Sequence, residues 1–564
     1  MSNNKKEETE LVEIDLKDLL SKNWNKIILA FILLSAFYLR LYHIDYPVVD
    51  YHNWREITTL SAARNFEREG FFKYGFFVPR FDYSLNMYEN QNGVHADVET
   101  FPIVSVFISI FFKIFGEQIW IARLVTIFLN LATIFLIYKI AKEFTKDEIY
   151  SLISAFVAGI MPLYVFFSRN PQQLIGSLFF LTLSLFLLLR WKKDKKLLYL
   201  IFSSLSLALA IISKYSMLII LLPFIVFFLE EKKLKQIFLN GIVFIVPLVV
   251  IVLSWFCYDL QIGEIYGFSV IKHTMHSATG FYNFFLPRYW AIMYNFFIEA
   301  ISYVGFLLFI FGIILIFSFK IKGFEFFRHF LILYFFAFLI FIFVGSSKLM
   351  HHSYHQFPLS LLYVYIISYP IYFCFLISCR YIKNYLKFGI IFVFLLILFF
   401  SAKSSINAMF NTQFFGLDVA GEYIKKHSEP WERLFYSGHQ SFGVLWHADR
   451  FGYPIKIPKP EDFEFAEKNN LNVSWLFIYQ WGFDVMGVNE SWNYIKNNFR
   501  PVQIAFIRQG EKFSPIYLLL KKGGNFNETL LNQKIQEKIN KNEVGIKEYE
   551  LSYGKVYLYY LNFE

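Results

Sequence analysis

In the stretch VVDYHNWREITTLSAARNFEREGFF, Val48 to Phe72, an aspartate, a histidine, three arginines and three glutamates follow directly on an apolar run. Asp50 precedes a helical pattern over 52–68, where the helix dipole favours a carboxylate. Three- and four-residue separations place His52, Arg55 and Glu56 on one face. A carboxylate there can accept a proton, and an arginine beside it can hold a phosphate. Further cations recur far along the chain: Arg169 in FFSRNPQQ, Lys214 in IISKYSM, and Lys348 with His351, His352 and His355 in GSSKLMHHSYHQFP. Each sits at the edge of an apolar run, where an unpaired ionisable group costs several kcal/mol and marks a site. Snorkelling explains Lys214 or Lys348 equally well, and Arg169 can satisfy carbonyls at a helix end. His351 and His355 stand four apart, the spacing of a metal pair, although interfacial histidines also donate to phosphate.

The elements that must position these groups follow from composition. Of 564 residues 56% are hydrophobic and 21% aromatic, with 72 Phe and 37 Tyr, far outside the range of a soluble domain. Apolar runs at 27–43, 120–141, 150–167, 174–190, 197–213, 216–229, 236–256, 291–319, 328–345, 357–378 and 386–402 predict about eleven spanning helices. The segment 102–115 is too short to span and opens on a proline, as a helix lying in the lipid interface can. With that helix outside the count, the basic loops 190–196, 231–235, 320–328 and 380–387 all fall on the cytoplasmic side together with residues 1–26. The first loop, 44–119, then faces outside, as do the segments carrying Arg169, Lys214 and Lys348. The net charge of +10 is explained by this loop bias and calls for no nucleic acid. Cys257, Cys374 and Cys379 lie in or beside apolar runs and offer no disulfide framework.

From residue 403 polar, Gly, Pro and Asn punctuation begins, and strand-like runs (473–479, 515–520) alternate with helical ones (417–427, 528–539). The chain is therefore read as three parts: a cytoplasmic segment 1–26, a polytopic α-helical membrane domain 27–402, and an extracytoplasmic α/β or α+β domain 403–564.

Asp50-Tyr51-His52 with Arg55, then ARNF (63–66), GFFVPRFD (75–82), VETFPI (98–103) and FGEQIWIARLVTIF (115–128), resemble the first-loop signature of the GT-C membrane glycosyltransferases, in particular the protein O-mannosyltransferase-like and aminoarabinose (lipid A) transferase-like enzymes. The resemblance implies transfer of a sugar from a polyprenyl-phosphate donor to a lipid, protein or glycan acceptor on the outer face of the cell membrane. It implies that Asp50 is the base, with Glu56 and Glu99 as supporting or alternative acids. Arg55, Arg169, Lys214, Lys348, His351 and His352 are implied on the phosphate side. Relatives carry an acid after the second loop's proline where this chain has Gln172 and Gln173, so a divalent cation is left open as a cofactor. The rivals are an oligosaccharyltransferase or glycan ligase using a pyrophosphate-linked donor, and a lipid or glycan transporter. The last predicts midplane charges and broken helices in two matching halves, which the sequence lacks.

Overall fold

A computed structural model describes residues 16–80, 100–231, 233–266, 281–382, 386–437, 441–479, 485–509 and 512–563. Glu99 lies outside the described residues. The membrane half opens with α1 (Leu16–Arg40), α2 (Asn53–Glu69), α3 (Ile103–Phe115), α4 (Ile119–Thr145), α5 (Glu148–Ile160), α6 (Pro162–Arg169), α7 (Gln173–Asp194), α8 (Leu197–Ser213), α9 (Leu221–Leu229) and α10 (Leu234–Tyr266). Among the described residues six helices are long and apolar enough to cross a membrane, or up to eight if each of two bent pairs forms one span. The chain is thus a multi-pass membrane protein.

The predicted span 291–319 is two helices, Pro287–Ile301 and Tyr303–Ser318, meeting at 101°. Ser302 makes the corner at φ 66 and caps the second helix by accepting a hydrogen bond from Gly305 N at 3.3 Å. The other bent pair, α5 and α6, turns by 51° at Met161, where Pro162 cannot continue the backbone ladder. Buried Arg40 at the end of α1 staples this break, donating to Gly159 O at 2.9 Å, Ala36 O at 2.7 Å and Asn130 Oδ1 at 3.0 Å. A cation at a helix C-terminus and three acceptors compensate its burial.

Helix α3 has 13 residues, about 20 Å at 1.5 Å each, too short for a hydrocarbon core of about 30 Å. It buries Val104, Ser105, Ile108 and Phe112 and exposes the apolar stripe Ile110, Phe111, Ile114 and Phe115, as a helix lying in an interface does. Gly176 on α7 lets it approach closely: a Cβ there would stand 2.9 Å from Ile103 and Val104 methyls.

The last membrane-half helix runs Leu386–Asn411, nine residues beyond the predicted end at 402. After it comes a seven-stranded mixed sheet of β1 (Arg433–Tyr436), β2 (Gly452–Pro454), β3 (Val473–Tyr479), β4 (Phe499–Gln509), β5 (Lys512–Lys522), β6 (Gly545–Leu551) and β7 (Gly554–Asn562). Strand order is β2-β1-β3-β5-β4-β7-β6, with β2, β1 and β3 parallel and the rest antiparallel. One face of the sheet packs on helices within its own part of the chain. The other shares a core with the first loop: Val48, Val49, Ile57, Leu60 and Ala63 are buried together with Leu417, Val444, Phe477 and Tyr517. Residues 48–63 of the loop read from sequence as outward-facing are therefore packed against the sheet.

Candidate active site

Helix α2 organises the site because its faces do different work. Its start is unusual: His52, the residue before the helix, is held at φ 63, a conformation that costs a non-glycine residue about 1–3 kcal/mol and persists only where surroundings impose it. Asn53 N closes the turn onto Asp50 O at 3.0 Å.

Asp50 is fully buried, anchored through an isolated bridge to Gln413. Its Oδ2 accepts from Arg169 Nη2, and Arg169 also donates to His43 O at 3.2 Å. Oδ1 of Asp50 has no hydrogen-bond partner among the described residues. Arg169, expected on the phosphate side, is thus the buried counterion of the candidate base.

Glu56 points elsewhere. Arg123 Nε donates to its Oε1 at 3.0 Å and Asn170 Nδ2 to its Oε2 at 3.2 Å, all with no exposure. Burial raises the Glu56 carboxyl above its usual range, against the opposing pull of Arg123 and Arg169. Arg123 also donates to the carbonyls of His43, Ile44 and Tyr46 and so fixes the chain leading to Asp50. The expectation that His52, Arg55 and Glu56 share a face fails for Glu56: adjacent positions turn about 100° apart, and Glu56 follows Arg123 into the bundle while Arg55 faces a cleft and, like His52, meets Tyr354.

That cleft lies between α2, the start of α3, the α6–α7 turn and the end of α8. Arg55, Thr58 and Thr59 form one wall, and Gln172, Gln173, Ser213 and Lys214 another. Tyr354 closes it, accepting from Arg55 Nε at 3.3 Å. Arg55 also stacks 3.8 Å over Trp54, which fixes the guanidinium plane. The walls are tied together: Gln173 Oε1 accepts from Val104 N at 2.9 Å, its amide donates to Ser105 Oγ at 2.7 Å, and Ser105 donates to Thr59 O at 2.9 Å. Gln172 joins the cleft to the buried acids by donating to Asn170 Oδ1 at 2.7 Å.

Cations accumulate here. Burial, then the charges of Arg55 and Lys348, bring the Lys214 ammonium down to about 7. Lys348 is also lowered, by burial and by Arg55. His352 lies edge-on to His52, ring centroids 4.7 Å apart, and stacks on Tyr354 at 5.0 Å. Burial, His352 and Arg55 together keep His52 neutral, and neither of its ring nitrogens has a hydrogen-bond partner among the described residues.

His351 is exposed, its ring centroid 6.4 Å from that of His352. The expected four-residue helical pairing of His351 with His355 is absent, because the short helix Ser346–Leu349 ends first and a 3-10 turn, Ser353–Leu359, carries His355. Among the described residues no group of three or more His, Cys, Asp or Glu is arranged to hold a metal ion.

Sequence reasoning missed Arg123. Its signal was present, an arginine inside the apolar run 120–141, where charge is costly unless paired. Gln172, Gln173 and Tyr354 gave no such signal, since neutral polar residues are common at helix ends.

Residues 98–256 match the sequence model of the family described as dolichyl-phosphate-mannose-protein mannosyltransferase. No curated protein matches the chain. Among solved structures, the Archaeoglobus fulgidus oligosaccharyltransferase in its apo form superposes with a TM-score of 0.55 at 13% identity, covering 88% of this chain and 74% of that one. ArnT from Cupriavidus metallidurans in the apo state gives 0.52 at 11% identity over 96% and 98% of the two chains. The same ArnT bound to undecaprenyl phosphate gives 0.50 at 11% identity over the same shares. The chain shares its fold with these two solved proteins.

Proposed function

We propose that this protein is a membrane glycosyltransferase that takes a sugar from a polyprenyl-phosphate carrier and hands it to an acceptor hydroxyl or amine outside the membrane, with its C-terminal part on that side. The observation that carries the reading is the cleft in which Arg55 and Lys214 stand among threonine hydroxyls and glutamine amides. Two cations suit a phosphate, and neutral donors and acceptors suit sugar hydroxyls. The match over 98–256 and the fold shared with a protein solved with undecaprenyl phosphate bound support the same choice of donor.

In this mechanism the acceptor attacks the anomeric carbon, Asp50 Oδ1 takes the acceptor's proton, and the bond between that carbon and the phosphate oxygen breaks. The lipid phosphate leaves with both bonding electrons, and its added negative charge falls on Arg55 and Lys214. A well-aimed donor to such growing charge lowers the barrier by about 3 kcal/mol.

The test is binding of undecaprenyl phosphate to the full chain in lipid nanodiscs. Arg55→Ala and Lys214→Ala are each expected to weaken binding by about tenfold or more, as loss of a charge-assisted hydrogen bond of about 1.5–3 kcal/mol implies. Unchanged affinity in both variants would overturn the assignment. A pH series adds an independent check. Lys214 must be protonated to hold the anion, and in the unliganded protein it loses that proton as pH rises through about 7. Affinity is therefore expected to be highest below pH 7 and to fall above it in the wild type, and to be flatter across that range in Lys214→Ala. Equal slopes would remove Lys214 from the site.

A further inference from the structure

The face of α2 opposite the cleft is held by the C-terminal part of the chain through one ionic cluster. Arg55, Thr58, Thr59 and Ala62 turn to the cleft at three- and four-residue steps. Ile57, Leu60, Arg64 and Arg68 follow the same steps on the other side, where Ile57 and Leu60 enter the core shared with the sheet. Arg64 and Arg68 both grip Asp449, at 3.1 and 3.0 Å, and Glu117 between α3 and α4, at 3.2 and 2.7 Å. Arg64 also lies flat on Trp446, 3.5 Å from the ring centre, and donates to Trp446 O.

Asp449 is built for this grip. It ends the helix Gly443–Ala448 at φ 53, a geometry aspartate tolerates better than most residues. Burial opposes its ionisation, but hydrogen bonding from Arg68 and the charges of Arg64 and Arg68 outweigh it and hold the carboxyl below its usual range. The same helix is pressed onto the start of the first loop: Val48 N donates to His447 Nε2 at 3.2 Å, and a Cβ on Gly443 would stand 2.8 Å from Val48 O. The site-bearing segment 48–68 is thus pinned at both ends by one C-terminal helix.

We infer that Asp449 is a positioning residue for the cleft: by locking Arg64 and Arg68 it sets the rotation of α2 that presents Arg55 to the bound phosphate, which makes the C-terminal part of the chain a structural component of the donor site. This rests on the reading of the cleft given above. Cutting the grip lets α2 turn, and a shift of about 1 Å in a positioned group is enough to cost up to 10²-fold.

Undecaprenyl phosphate binding by the full chain in nanodiscs is the test, with transfer rate at saturating donor as the second readout once an acceptor is in hand. Asp449→Ala is expected to weaken binding about tenfold, as for a misplaced rather than missing Arg55. Its rate at saturating donor is expected to remain within about twofold of wild type, because Asp449 acts on donor placement and not on the proton transfer at Asp50. Asp449→Glu, which keeps the charge, is expected to recover most of the affinity. Glu467→Gln, which removes a carboxylate from the exposed Lys522 pair of the same domain, is expected to change nothing. Wild-type affinity in Asp449→Ala, while Arg55→Ala loses binding, overturns the inference and leaves the cleft assignment standing. Wild-type affinity in both overturns the assignment itself. Should Asp449→Ala fail to fold, Arg68→Gln removes the more exposed arm of the cluster, and weakened or unchanged binding decides in the same sense.

Discussion

Asparagine in place of Asp50 is expected to reduce sugar transfer by about 10²- to 10⁴-fold, the usual contribution of a general base, with undecaprenyl phosphate binding kept within about threefold of wild type because no phosphate contact is assigned to that side chain. The amide preserves shape and can still accept from Arg169 through its oxygen, so the substitution removes proton affinity with little change in packing. The two oxygens of Asp50 differ in a way that suits a base: Oδ2 is oriented by Arg169, while Oδ1 is buried without a partner. Glu56 offers no such oxygen, since Arg123 engages one and Asn170 the other. Glu56→Gln is therefore expected to reduce transfer much less than Asp50→Asn. Transfer measured with a polyprenyl-phosphate sugar distinguishes the two. Full activity in Asp50→Asn together with a large loss in Glu56→Gln would move the base to Glu56.

The largest effect on stability is expected from Arg123→Met. Breaking one half of a buried ion pair leaves the other charge uncompensated, at a cost of about 3–5 kcal/mol. Here the loss also strips three carbonyls, those of His43, Ile44 and Tyr46, of a donor. The deficit has a sign in pH. Burial already raises the Glu56 carboxyl, and without Arg123 it rises further. A carboxyl whose folded pKa lies above its unfolded value favours the fold at low pH, and that contribution is lost as pH rises through the folded pKa. The variant's deficit against wild type is thus expected to shrink on acidification, and the double variant Glu56→Gln with Arg123→Met is expected to recover part of it. Thermal unfolding in detergent across pH reads all three. An Arg123→Met protein as stable as wild type would show that the pair is dispensable.

How much of this was legible in the sequence depends on the range of the interaction. Helix positions followed from the 3.6 period and from runs of apolar residues, down to the amphipathic α3, which shows its apolar stripe at Ile110, Phe111, Ile114 and Phe115. In the C-terminal part, the runs at 473–479 and 417–427 coincide with a strand and a helix at the same bounds. Of the cleft residues, Arg55 and Lys214 were singled out separately, one by helix spacing and one as a charge at the edge of an apolar run, and they line it together. What periodicity cannot carry is partner choice. Arg169 is read equally well as a phosphate ligand, a helix cap or a counterion until its distance from Asp50 is known, and 119 positions separate the two. The corner at Ser302 was hidden because both halves of 291–319 are apolar and serine at positive φ has no compositional mark. Asp449 was invisible for the same reason as Arg123: a long-range pair shows in sequence only as two isolated charges.

The central claim is that the cleft holds a lipid-linked phosphate between Arg55 and Lys214. The most direct measurement is a structure of the full chain in nanodiscs with undecaprenyl phosphate bound. The account predicts phosphate density within hydrogen-bonding distance of the Arg55 guanidinium and the Lys214 ammonium, with the isoprenoid tail leaving toward lipid. Phosphate density at the opposite, basic end of the bundle around 190–196, or a cleft left empty at saturating lipid, would contradict it.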